Sequence, residues 1–252
     1  LHISKYAIGR DGNVSYDVKT ATSRAHTAVE TMLTRTKGFP TERIWLPIGN
    51  DILHIDNKNA TTTKGTRLEM QGLWWQAFRA AKDMYIEVID RLARVAPVEI
   101  FHNMSNHDEH LGFCLAELLE AHYSRNKRVT FIIEPQNDRI YKNYGKNLLG
   151  FDHGDGAKLT DMPLLMACEA AEHWANCPNR YIFRHHLHHW FKREFLSGKD
   201  FPGVIVQSMR SPTAADGYHQ KEGYVGTPQS IDAFVFHPED GQVSHTPCVF
   251  AR

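Results

Sequence analysis

Arg43-Ile44-Trp45-Leu46-Pro47-Ile48-Gly49, followed at once by Asn50-Asp51-Ile52-Leu53-His54, is the stretch from which the rest of the chain is read. A short apolar run closed by glycine has the length of a buried strand, and the polar cluster after it stands where a strand feeds a loop. Pro47 is the residue that argues against a regular strand, because it has no amide hydrogen to give to a ladder. The same grammar returns three times. Val98 to His102 leads to Asn106-His107-Asp108, Leu148-Leu149-Gly150-Phe151 leads to His153-Gly154-Asp155, and Tyr181-Ile182-Phe183 leads to His185-His186-Leu187-His188-His189. Four clusters of Asn, Asp and His thus share one topological position, the strand ends where ligands gather in α/β sheets.

Between these runs the apolar spacing is helical. Tyr16 to Lys37 carries Ala21, Ala25, Ala28, Val29, Met32 and Leu33 at helical spacing and stops at Gly38-Phe39-Pro40. Further helices are expected over about Leu68 to Val95, Glu109 to Ser124 and Pro163 to Trp174. A strand is expected over Val129 to Glu134, and a polar loop over Asp56 to Gly65. Gly203 to Gln207, Ala233 to His237 and Gln242 to Phe250 read as strands with no helix between them. No repeat, low-complexity tract or linker divides the chain, so residues 1–252 are expected to form one mixed α/β domain, sheets with helices outside and a mostly β C-terminal part. Trp74, Trp75 and Phe78, at helical spacing, read as core rather than as a platform for stacked bases.

Lys plus Arg is 29 and Asp plus Glu is 29, so no overall positive field favours nucleic acid or anionic membrane. Cys114, Cys168, Cys177 and Cys248 form no C-x-x-C pair, which excludes a zinc ribbon and reads as reduced thiols inside a cell. No apolar run approaches the roughly 18–20 residues that span a bilayer. Leu1-His2-Ile3-Ser4-Lys5 lacks the charged-then-apolar order of a signal peptide, so a cytoplasmic protein without membrane contact is expected. The count that asks for a chemical reason is histidine, 16 against 9 Tyr and 5 Trp.

Imidazole and carboxylate are what first-row dications bind, and Asn adds a neutral oxygen. In an extended segment His186 and His188 point the same way, so they suit two neighbouring metals, with Asp51 as the carboxylate that bridges them. Two dications about 3.5–4 Å apart activate a water and neutralise a phosphoryl oxygen, the needs of phosphoester hydrolysis. A histidine that is not a ligand would protonate the leaving group, and His107 is the candidate.

The order of the clusters resembles the calcineurin-like metallophosphoesterase superfamily, whose pattern runs D-x-H, G-D-x-x-(D/H), G-N-H-(D/E), a lone His and G-H-x-H. The matches are Leu1-His2, Gly49-Asn50-Asp51 through His54, Ser105-Asn106-His107-Asp108, His153 and His185-His186-Leu187-His188, from residue 2 to residue 188. The resemblance implies an αββα sandwich of mixed sheets flanked by helices and a cofactor of two divalent metal ions, Mn²⁺ first, with Zn²⁺, Fe or Ni²⁺ also compatible. It implies that His2, Asp51 and His188 hold one metal and that Asp51, Asn106, His153 and His186 hold the other. His107 would be the general acid, Asp108 would orient its imidazole, and a metal-activated hydroxide would attack. The tail from Met209-Arg210-Ser211-Pro212 to Gly223-Tyr224 is similar to that of phage-encoded members, a resemblance that implies the cytoplasm of an infected bacterial cell. The expected reaction is hydrolysis of a phosphodiester, by a nuclease or a nucleotide phosphodiesterase. The alternatives are a phosphomonoesterase or protein phosphatase on the same metals, and a non-catalytic scaffold of the same fold.

This sequence departs from the family pattern in three ways. The family's Asp two residues before His2 falls ahead of Leu1, so the domain is expected to lack its first residues or to hold its first metal less tightly. Gly49-Asn50-Asp51 has one residue more between Gly and Asp than the family has. Ser105 and His185 stand where glycines are usual, which matters wherever the backbone needs a positive φ. His54 reads as a pocket wall or a neighbour of the ligands. The loop Arg210 to Gly226 reads either as a cover that sets Arg210 or Lys221 on a phosphate or as a plain capping loop.

Overall fold

Among residues 1–9, 11–186, 198–201, 203–215 and 228–250, which the computed structural model describes, helices and strands interleave as far as residue 184 and strands alone follow. In chain order the elements are β1 (Ala7–Ile8), β2 (Val14–Tyr16), α1 (Val18–Arg35), β3 (Ile44–Gly49), α2 (Trp74–Ala93), β4 (Val98–Asn103), α3 (Glu109–Tyr123), β5 (Val129–Ile133) and β6 (Arg139–Tyr144). After them come β7 (Asn147–Asp152), α4 (Met162–Glu169), α5 (Ala171–Trp174), β8 (Asn179–Arg184), β9 (Gly198–Phe201), β10 (Val204–Ser208), β11 (Gln229–His237) and β12 (Gly241–Phe250).

β3, β4 and β5 make a parallel sheet in that order. A second, mixed sheet has the order β6-β7-β8-β10-β9, with β7, β8 and β10 parallel and the two edge strands antiparallel to their neighbours. All of β7 is buried, and alternation deals its side chains to two cores. Leu148, with Ile182 of β8, packs on Met162 and Met166 of α4. Leu149 and Phe151, with Tyr181 and Phe183 of β8, meet Phe101 of β4, Trp45 of β3 and Phe234 and Phe236 of β11, so an aromatic core lies between the two sheets. The other face of the parallel sheet is covered by α1, α2 and α3. Ala77, Ala81, Met84, Val88 and Leu92 repeat along α2 at the spacing of one helical face and pack there with Leu115 and Leu119 of α3. The result is a mixed α/β architecture of several sheets flanked by helices. Among the described residues no helix is long and apolar enough to cross a membrane.

Pro47 sits inside β3 without cost. Ile44 N donates to Pro97 O at 2.8 Å, so Ile44, Leu46 and Ile48 turn their backbone groups to β4, and Pro47 belongs to the alternate set that faces away from it. As β3 is the edge of its sheet, no ladder bond is lost.

Three expectations are corrected. The helix expected from Leu68 begins at Trp74, because the preceding segment is taken by tertiary bonds. Gln71 N donates to Ser4 O at 2.8 Å, Met70 pairs with Lys5, and Gly72 turns the chain at φ +73°. The helix expected over Pro163 to Trp174 breaks at Ala170 (φ −116°, ψ 38°) into α4 and α5. Trp74 and Trp75 are 39 % and 40 % exposed, so of the aromatic trio only Phe78 packs against the core. The antiparallel strand β6 was not among the strands expected, since its alternate residues are half-exposed and its apolar content is low.

Candidate metal centre

Strand register assembles the site. Gly49 at the end of β3 lies beside Asn103 at the end of β4, and Asp152 at the end of β7 lies beside Arg184 at the end of β8. The residues that follow, Asn50-Asp51, Asn106-His107-Asp108, His153 and His185-His186, therefore leave at the carboxyl ends of parallel strands. A fifth segment joins them. Leu1 to Lys5 runs beside residues 51–54, with His2 N donating to Asp51 O at 2.8 Å, Ile3 N to Ile52 O at 2.8 Å and His54 N to Ile3 O at 3.0 Å. That pairing carries His2 and His54 to Asp51.

The backbone at these positions is strained. Among the described residues six other than glycine have a positive φ, and four of them are His2 (48°), Asn50 (54°), Asp51 (63°) and His186 (58°). Such conformations cost roughly 1–3 kcal/mol each and persist where the surroundings over-determine them, which is common at ligand sites. His186 is accordingly not in an extended segment, and the alternation argument that paired it with His188 does not hold at its own position. His188 lies outside the described residues. Gly49 has φ +91°, and a Cβ there would collide with the carbonyl oxygen of Asn103. Gly49→Ala is therefore expected to destabilise the fold by about 3–5 kcal/mol, strain plus overpacking, a loss that urea unfolding would read directly. Ser105 and His185 have no positive φ, so the replaced glycines cost nothing in backbone conformation.

Asp51 stands at the centre. Its side chain is 1 % exposed, and neither carboxylate oxygen accepts a hydrogen bond of ordinary geometry from the described residues. Each oxygen instead faces an imidazole: Oδ2 lies 3.5 Å from His2 Nε2, and Oδ1 lies 3.5 Å from His153 Nε2. Asn106 Oδ1 is 2.8 Å from the same His153 nitrogen, and His186 completes a group with Asp51 and His153 whose ligand atoms all lie within 4.8 Å of one another. Burial pushes the Asp51 carboxyl up to about 7 and pushes His153 and His186 below the usual histidine range, so the imidazoles are neutral and suited to ligation. Separations of 2.8–3.5 Å match neighbouring ligands on a cation with bonds of roughly 2.0–2.2 Å. The donor set fits a divalent metal, because a buried carboxylate without a well-formed hydrogen bond among the described residues is costly unless a cation meets it.

A second group, also within 4.8 Å, consists of His2, His54 and His107. His2 Nδ1 is 3.4 Å from His54 Nδ1, and the His54 and His107 rings are stacked at 5.5 Å. The structure thus brings His54 to His2 as a neighbour on equal terms with the expected residues. His107 Nδ1 lies 2.9 Å from the His54 carbonyl oxygen, which can only accept, so that nitrogen carries the hydrogen and Nε2 is left for chemistry. The expectation that Asp108 orients His107 is corrected here. The Asp108 carboxylate accepts from Leu53 N at 2.8 Å and from the Ser105 hydroxyl, and it ties the His54 loop to the His107 loop instead. Asp108 occupies the N-cap position of α3 without capping it with its side chain.

Two arrangements at the site had no signal in the sequence. Arg184 Nε donates to Asp152 Oδ2 at 2.7 Å in a buried pair, and its Nη2 reaches Ala157 O at 2.7 Å, which locks the strand ends beside His153 and His186. Asp56, from the polar loop, accepts from His110 N and Leu111 N at 2.9 and 2.8 Å and so caps α3 from another segment. Of the tail loop only residues up to 215 are described before 228, so the role expected for Lys221 lies outside them.

Set against models of known protein families and against curated proteins, the chain matches none.

Proposed function

We propose that the chain is a dinuclear metal-dependent phosphoesterase of the calcineurin-like type, acting first of all on phosphodiesters. The observation that carries this reading is Asp51: a buried carboxylate that accepts no hydrogen bond of ordinary geometry among the described residues, with its two oxygens 3.5 Å from two different imidazoles. Asp51, Asn106, His153 and His186 would hold one metal, and Asp51 with His2 the other, with His54 a further donor on that side. When bound, the metals supply an activated water and positive charge at the phosphoryl oxygens. The chain's own residues supply the rest. Asp108 and Ser105 fix the loop that bears His107, the His54 carbonyl fixes its ring, and Nε2 is placed to give a proton to the departing oxygen. Two sheets facing across an aromatic core with helices outside support the αββα assignment.

The scaffold alternative draws no support from the replaced glycines, since Ser105 and His185 need no special backbone. The test is turnover of bis-p-nitrophenyl phosphate beside p-nitrophenyl phosphate by chelator-stripped protein, before and after Mn²⁺ is restored. Metal-dependent cleavage with the diester preferred is expected. Preference for the monoester would move the assignment to a phosphatase, and no turnover together with no bound Mn²⁺ would leave only the scaffold.

A further inference from the structure

α2 opens on an exposed aromatic step: Leu73 is 55 % exposed, and Trp74 and Trp75 about two-fifths. Taken alone, such a step at a helix start is ordinary surface. Charge sets it apart. Residues 57–80 carry Lys58, Lys64, Arg67 and Arg79 against Glu69 as the single acid, a net of +3 in a chain whose net charge is 0. Among the described residues only Lys64 of these cations forms an ion pair, with Asp155 at 3.4 Å. Arg79 holds its guanidinium over the Trp75 ring, 5.2 Å from the centroid, so a cation and an indole already share one surface.

The position of this segment points the same way. The segment between His54 and α2 is tied to the metal centre at both ends. On one side Gln71 N is bonded to Ser4 O, two residues past His2, and Trp74 follows Gln71 by three residues, at most about 11 Å of chain. On the other side Asp56 binds the start of α3 just past Asp108, and Lys64 meets Asp155 just past His153. This aromatic and cationic lip is therefore anchored to the segments that carry His2, Asp108 and His153.

Exposed indoles stack on the π-faces of bases, and neighbouring arginines and lysines meet the phosphates between them, a combination that favours single strands because a duplex hides its base faces. We propose that this lip binds single-stranded nucleic acid, with Trp74 and Trp75 taking bases and Arg67 and Arg79 taking the flanking phosphates, and so presents a phosphodiester to the metal centre. The binding stands by itself; the presentation rests on the phosphodiesterase reading.

The test is fluorescence anisotropy of a labelled oligothymidylate, with EDTA present so that nothing is cleaved. It compares wild type with the double variants Trp74→Ala/Trp75→Ala and Trp74→Phe/Trp75→Phe. Hydrolysis of bis-p-nitrophenyl phosphate with Mn²⁺ is measured on the same three proteins. The alanine pair should raise Kd about ten-fold or more, and the phenylalanine pair, which keeps the rings, should stay within about three-fold of wild type. Turnover of the small diester should be the same in all three, and a duplex of equal length should bind more weakly. Equal affinity of the alanine pair and wild type would overturn the proposal, as would a duplex bound as tightly as the single strand. Tryptophan-dependent binding to phosphatidylserine vesicles without binding of the oligomer would overturn it in favour of a membrane surface. Tryptophan-dependent binding of the oligomer by a wild type that does not hydrolyse the small diester would keep the lip and discard the phosphodiesterase reading.

Discussion

Asp51→Asn should lower bound Mn²⁺ from two per chain to less than one and reduce diester hydrolysis by about 10³-fold or more, a loss of several kcal/mol of charge stabilisation. The same substitution should make the metal-free protein more stable at pH 8. Burial holds the Asp51 carboxyl near 7 in the folded state, against 3.8 for an ordinary aspartate. A carboxyl raised on folding binds its proton more tightly in the folded chain, so the contribution of Asp51 to stability is greatest below pH 4, falls as pH rises from 4 to 7, and is level above that. The full swing is on the order of 4 kcal/mol at the high-pH end. An asparagine has no such charge to bury, at a cost of roughly 1–3 kcal/mol for an unpartnered amide. The metal-free variant should therefore melt several degrees above metal-free wild type at pH 8, and the gap should close near pH 4. Mn²⁺ should do the opposite, raising the melting temperature of wild type at pH 8 and leaving the variant unmoved. Two metals retained by the variant, with an unchanged pH slope, would remove Asp51 from the centre of the site.

That prediction starts from a residue the sequence already marked. Asp51 follows an apolar run closed by a glycine, and the three other clusters that meet around it follow runs of the same kind. Apolar runs and the residues next to them are local information, so β3, β4, β7 and β8 and the polar ends of each were legible. The partners of those ends were not. Asp108 looks like an orienter of the adjacent His107, yet its carboxylate binds Leu53 N, more than fifty residues away, because Leu1 to Lys5 holds the 51–54 segment against the α3 start. His54 joins His2 for the same reason. The Arg184–Asp152 pair exists only once register sets β7 against β8. Trp74 and Trp75 follow a helical period that predicts burial, but Gly72 and the bond from Gln71 to Ser4 start the helix late and leave its first turn at the surface. In each case periodicity named the element, and a contact distant in sequence decided where its side chains went.

His107→Ala separates two roles that the structure sets side by side. The ring shares a group with His2 and His54, where a ligand would stand, yet its Nδ1 is spent on the His54 carbonyl and only Nε2 can serve. As an acid, Nε2 must carry a second proton, and burial pushes His107 below the usual histidine range, so the proton has to be favoured by the negative charge of a bound phosphodiester. Its value then depends on the leaving group. A p-nitrophenolate departs without help, whereas an alkoxide does not. The alanine variant should therefore keep two Mn²⁺ per chain and lose less than about ten-fold on bis-p-nitrophenyl phosphate, but lose about 10²–10⁴-fold on a diester with an alkyl leaving group. The wild-type rate on the alkyl diester should fall as pH rises past the titration of His107 in the complex, and the variant should lack that limb. A loss equal on both esters with one Mn²⁺ gone would make His107 a ligand on the His2 side. With both metals kept, the same equal loss would leave it a positioning residue, and the proton for the leaving oxygen would have to come from elsewhere in the site.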